Sequence, residues 1–163
     1  MNGYAWELLT CVVHDLRDPV TALEFAKKAV EASNEQNPGI LDTLALAQQM
    51  NGDIDAAIET QSKAVALLDP DPSALRGELE SNFVKYLLEG QRFAEAETLL
   101  LATHEQIVGG NDESTWKIQA SIERLVNFYE SWHAAEPGQG YAAKAAEWRP
   151  KLPPDDEAAE PTP

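Results

Sequence analysis

The residues from Asn37 to Pro70 read NPGILDTLALAQQMNGDIDAAIETQSKAVALLDP, and their punctuation decides the fold. Asn37 ahead of Pro38 supplies a helix cap followed by a first-turn residue that needs no N–H. The helix opened there carries Leu41, Leu44 and Ala45 at helical spacing and is expected to end near Met50. In the NGD that follows, Gly52 can take the left-handed conformation that closes one helix, and Asp53 can cap the next. Ile54, Ala57, Ile58, Val65 and Leu68 then share one apolar face. The stretch is two helices joined by a tight turn.

The same signals recur on both sides. Upstream, RDPVTALEFAKKAVEAS has Asp18 as cap and Pro19 as first helical residue, with Leu23, Ala26 and Val30 at helical spacing. The connection before it, VVHDLRDPVTA, is superficially like the catalytic loop of a protein kinase. His14 and Asp15 have no Arg between them, and Val20 stands where the metal-holding Asn belongs. There is no Gly-rich phosphate loop, no Val-Ala-Ile-Lys strand and no Asp-Phe-Gly, and 163 residues are too few for a kinase fold. Downstream of DPDP, Leu75, Leu79, Phe83, Tyr86 and Leu87 mark one helix, Gly90 a turn, and Phe93, Ala96, Leu100 and Ile107 the next. VGGND ends that pair. Ile118, Ile122, Leu125, Tyr129 and Trp132 define a long helix, EPGQG breaks it, and a last helix runs from Tyr141 to Arg149 and stops at Pro150. No run of alternating β-branched residues competes, so the protein is expected to be all-α, with about eight helices.

Composition excludes several classes of function. With 44% hydrophobic residues the chain can bury a core. No apolar run approaches the roughly 18 residues of a membrane helix, and no signal peptide opens the chain, so a cytoplasmic protein with no membrane partner is expected. The lone Cys11 cannot form an internal disulfide and is expected to serve as a small buried hydrophobe. Asp and Glu total 28 against 12 Lys and Arg, a formal charge of −16. Nucleic acid is a poor partner for such a chain, because phosphate contacts need clustered cations and the longest basic run is Lys27-Lys28 on a helix surface. Residues 1–152 are expected to form the helical domain, and 153–163, PPDDEAAEPTP, an acidic, Pro-rich disordered tail.

An internal repeat emerges when DPVTALEFAKKAV, GDIDAAIETQSKAV and QRFAEAETLLLATH are aligned, for Ala22, Ala57 and Ala96 then fall together at separations of 35 and 39 residues. Two helices approach closely only where one side supplies a small side chain, and each pair leaves an apolar face for the next to cover. Leu41, Leu44, Ala45, Gly52, Ala57 and Ala64 match the spacing of tetratricopeptide (TPR) repeats, and the chain resembles that family from Tyr4 to Leu152. Gln48, Gln61 and Gln91 depart from it, standing where aromatics and a turn Gly are usual. A narrower likeness attaches to AWELLTCVVHDLRDPVTALEFAKKAVEAS and RLVNFYESWHAAEPGQGYAAKAAEWRPKL. These are similar to the repeat segments that follow the catalytic domain in a group of large bacterial serine/threonine kinases. The resemblance implies a right-handed superhelical solenoid of about four helix pairs and a monomeric, non-catalytic scaffold for protein binding. A structural spacer with no ligand of its own is the alternative.

In that class the first helices of successive pairs line a concave groove. The resemblance places its residues at Asp42, Leu46, Gln49 and Met50, then Ser81, Lys85, Leu88 and Glu89, then Glu123, Asn127, Glu130 and Ser131. Acids outnumber the single Lys there, so an apolar and basic segment of a protein partner is the expected occupant. His14, His104 and His133 lie at or near helix ends or turns without metal-ligand spacing, and Cys11 with His14 lacks a third group. No catalytic residue, metal site or cofactor is assigned. Glu97, Glu123 and Glu130 are read as solvent-facing helix formers, and Trp6, Trp132 and Trp148 as core or capping anchors.

Overall fold

The computed structural model describes residues 1–68, 74–110 and 115–152, and every regular element in them is helical. In order these are α1 (Asn2–Thr10), a 3-10 turn (His14–Leu16), α2 (Pro19–Ala32), α3 (Pro38–Met50), α4 (Ile54–Ala66), α5 (Ala74–Glu89), α6 (Phe93–Gly109), α7 (Thr115–Ala135), α8 (Tyr141–Trp148) and a second 3-10 turn (Arg149–Lys151). The DPDP stretch, Asn111 and Asp112 of VGGND, and 153–163, where a disordered tail is expected, lie outside the described residues.

The helix boundaries follow from local chemistry. The side chains of Asp18, Asn37 and Asp53 accept from the N–H of Thr21, Ile40 and Ala56, at 3.0, 3.1 and 3.2 Å. Each bond satisfies one of the donors that a helix start leaves unpaired. The far ends of α2, α3 and α5 close alike, with a left-handed residue (Asn34, Gly52 or Gln91) followed by an N–H bonded back to a carbonyl in the last turn. Gln91 adopts this conformation at φ 57° without being Gly, and the Gly requirement falls on its neighbour. A Cβ on Gly90 would stand 2.9 Å from Ile58 Cδ1, so the absent side chain lets the end of α5 approach α4.

The described residues divide into two compact units, Met1–Arg92 and Phe93 onward. In the first, each helix packs on its neighbour in sequence, and α1 also reaches α3. Ala22, Ala26, Ala57 and Ala64 are wholly buried at these close approaches, beside Leu9, Leu41, Leu44 and Leu79. In the second, α7 lies against both α6 and α8. Ala96, Leu100, Ile122, Leu125, Phe128, Tyr129, Trp132 and Ala145 are buried there. The three alanines aligned by sequence are all at 0% exposure, as close helix packing requires.

Several expectations need correction. Leu75 is exposed in the first turn of α5, not on its packed face, and Trp6 is exposed on α1 although Ala5 beside it is buried. Cys11 is half-buried at the end of α1 instead of in the core. His104 sits within α6, away from its ends, and Pro150 does not end the chain's last helical segment but lies inside the 3-10 turn that continues it.

Candidate interaction surface

Three polar side chains tie α3, α4 and α5 together. Gln61 on α4 is fully buried, and its Nε2 donates to Asp42 Oδ1 on α3 at 2.8 Å and to the Leu79 carbonyl on α5 at 2.9 Å. Asn82 Nδ2 donates to the same Asp42 oxygen at 2.9 Å. Farther along, Gln49 Nε2 reaches both carboxylate oxygens of Glu89 at 3.0 Å. The α3–α5 pairs Asp42–Asn82 and Gln49–Glu89 are each 40 residues apart, so the two helices run in matched register. Burial, with smaller contributions from Asp42 and Glu89, pushes the Tyr86 hydroxyl well above the usual tyrosine range.

The residues expected to line a groove in the first unit differ in exposure. Ser81, Lys85 and Glu89 are exposed, while Leu46, Gln49, Met50 and Leu88 are half-buried. Leu46 and Met50 pack against the core while keeping part of their surface open. Asp42, by contrast, is only 6% exposed, and its oxygen is taken by Gln61 and Asn82, so it supports the surface from beneath. Lys85 Nζ lies 5.8 Å from the Tyr86 ring centre. Elsewhere in this unit a cleft of about 270 Å3 lies among Val30, Leu41, Leu44, Gln48 and Thr60, with Glu35, Glu59 and Lys63 also in its wall.

The other four residues expected in the groove lie on α7, in the second unit. Glu123, Asn127, Glu130 and Ser131 are all exposed. Their polar groups are engaged locally: Gln119 donates to Glu123, the Ser131 hydroxyl donates to the Asn127 carbonyl, and Arg149 pairs with Glu130.

Two clusters in this unit were not anticipated. Glu97 is no solvent-facing carboxylate, for its Oε1 accepts from the Tyr129 hydroxyl at 2.7 Å and from Lys144 Nζ at 2.6 Å. Burial alone would raise its pKa, but the bonds from Lys144 and Tyr129 outweigh that and leave it below the usual range. His104 Nδ1 lies 2.7 Å from Ser121 Oγ, and its ring stands edge-on to Trp148 with centroids 5.0 Å apart. The Ser121 hydroxyl donates to the Ile118 carbonyl at 2.7 Å, so its proton is committed and His104 supplies the hydrogen between the two side chains. Such a serine is not activated for attack, because activation needs His to accept that proton. Burial first, then Lys151, lowers the His104 pKa.

His14 is exposed, and its neighbour Cys11 offers a carbonyl that accepts from Arg17 Nε at 2.8 Å. Among the described residues no group of three or more His, Cys, Asp or Glu could hold a metal ion, and no helix is long and apolar enough to cross a membrane. No protein-family model, curated protein or solved structure matches this chain. The register between α3 and α5, and the side chains it presents, carry the functional reading.

Proposed function

We propose that this chain is a non-catalytic protein-interaction module built from TPR-like helix pairs, stacked as a superhelical solenoid and working as a cytoplasmic monomer. Its kinship is with the repeat segments that follow the catalytic domain of bacterial serine/threonine kinases. The face of α3 and α5 captures a partner segment that carries apolar side chains and Lys or Arg. The observation that carries this reading is the matched register of α3 and α5, pinned by Asp42–Asn82 and Gln49–Glu89. On the two helices so paired, Leu46, Met50 and Leu88 are half-buried and Ser81, Lys85 and Glu89 exposed, which supports the reading of a mixed apolar and charged face. Partly buried apolar groups cost little entropy to order further, and a carboxylate on the same face favours a basic neighbour. The formal charge of −16 adds long-range attraction for such a segment.

The test is affinity capture from the native lysate with three forms of the protein: wild type, Leu46→Ser/Met50→Ser, and the exposed charge reversal Glu89→Lys. Folding of each is checked first by circular dichroism. A partner held by wild type, weakened by both variants and released by added salt is the expected result. A partner retained equally by all three places the binding surface elsewhere, and no partner at any ionic strength favours the spacer reading.

A further inference from the structure

The turn between α3 and α4 contains the pair Asn51-Gly52. In an Asn-Gly pair the backbone nitrogen of Gly readily attacks the carboxamide before it, because no side chain stands in the way, and Asn is a thermolabile residue for this reason. Here both reacting groups are clamped. Asn51 Nδ2 donates to the Pro19 carbonyl at the start of α2, at 2.8 Å, and to the Ala47 carbonyl in the last turn of α3, at 2.7 Å. The Gly52 N–H donates to the Gln49 carbonyl at 2.9 Å, and Asn51 at ψ 3° turns that nitrogen away from its own Cγ. Yet both residues are exposed, and nothing lies within 4 Å of where a Cβ on Gly52 would stand, so water reaches the pair as soon as the turn opens.

We propose that Asn51 is a modification site, converted to aspartate and isoaspartate during openings of the turn between α3 and α4, and that the conversion cuts a tie between α2 and α3. In the open turn the Gly52 nitrogen gives its proton to a solvent base and bonds to Asn51 Cγ. The Cγ–Nδ2 bond breaks, and the carboxamide nitrogen takes up a proton and leaves as ammonia. Water then adds to either carbonyl of the succinimide ring and opens it, to aspartate or to isoaspartate. One water enters and one ammonia leaves, with no oxidation or reduction. The product reverses the electrostatics of the junction: a side chain that donated to two carbonyls becomes an anion with no donor, at the negative end of the α3 dipole. The start of α2 is thereby released from the end of α3. The site stands independently of any partner held on α3 and α5.

The test uses the full wild-type chain, incubated at mildly alkaline pH both folded and in denaturing urea, with peptide mapping by mass spectrometry to follow isoaspartate. Residue 51 should convert in both, at least about 10-fold more slowly in the folded chain, since the rate scales with the open fraction of the turn. The chain supplies its own control, because Met-Asn-Gly occurs at 1–3 as well as at 50–52. Gly3 lies in the first turn of α1, whose N–H groups have no partner within the helix, so in the folded chain residue 2 should convert ahead of residue 51. Equal rates at residue 51 in folded and unfolded chain refute the clamp, and an intact residue 51 in folded chain after residue 2 has fully converted refutes the modification site. The consequence is read by comparing Asn51→Asp with Asn51→Ala, which loses the same two bonds without adding charge. Asn51→Asp should have the lower urea midpoint and the faster hydrogen exchange in the first turn of α2; equal midpoints refute the release of α2 from α3. The rate comparison needs the wild type alone and stands whether or not either variant folds.

Discussion

Replacing Gln61 by Glu asks whether a single carboxamide is what allows a carboxylate to sit between three helices. The substitution keeps the shape of the side chain and changes a donor nitrogen to an oxygen. That nitrogen lies 2.8 Å from Asp42 Oδ1 and 2.9 Å from the Leu79 carbonyl, so two attractive contacts become repulsive ones. An uncompensated buried charge costs about 3–5 kcal/mol and the lost bond to Leu79 about 1 kcal/mol more, which puts Gln61→Glu at roughly 4–6 kcal/mol at pH 8. Gln61→Leu loses the same two bonds but also removes Oε1, which is buried without a partner among the described residues, and should cost only about 1–2 kcal/mol. The introduced carboxyl has its folded pKa raised by burial and by Asp42. Its penalty is therefore full above that pKa and is relieved as pH falls through it, when an O–H donor toward Asp42 is restored. Urea denaturation followed by circular dichroism between about pH 8 and about pH 5 should show the gap between the two variants narrowing with acid. Equal stabilities at pH 8, or a gap that ignores pH, would refute the account of Gln61 as an obligatory donor.

Ala57→Leu should destabilise the first unit by about 1–3 kcal/mol, because the wholly buried Cβ leaves no room for added methylenes; an unchanged denaturation midpoint would remove Ala57 from the helix crossing. Glu97→Gln should flatten the acid limb of the stability curve. The lowered pKa of Glu97 means that its contribution is present above the ordinary glutamate range and is lost as pH falls through the folded value, so parallel acid limbs in wild type and variant would count against the Lys144–Glu97–Tyr129 network.

What could be read from the sequence was local. Asp18, Asn37 and Asp53 cap helices because an Asx side chain reaches only its own first turn, and Gly52 closes α3 for a reason contained in its own backbone. The alanines at 22, 57 and 96 were legible because their periodicity reports packing directly. The polar ties were not. Gln61 reads as a departure from an aromatic position, and nothing near it in sequence announces that Asp42 and the Leu79 carbonyl converge on it. Glu97 meets Lys144 across 47 residues, and a Glu on an amphipathic helix is ordinarily solvated. The exposure of Leu75 escaped for a related reason: helical spacing names the stripe but not the end of the helix at which packing stops. Of the groove residues in the first unit, Asp42 proved to be a buried support, while Leu46 and Met50 are both packed and partly open.

In the first unit almost every helix leans only on the one before and the one after. Such a chain behaves like a zipper. Damage at α1 is felt by α2 and α3 but fades before α5, and opening can begin at an end without first dissolving the middle. The two polar ties between α3 and α5 are stitches that skip a tooth, so they set how far a local opening spreads. A partner lying across α3 and α5 would add a third stitch, and its capture would be felt first as a slower unzipping of the helices beneath it.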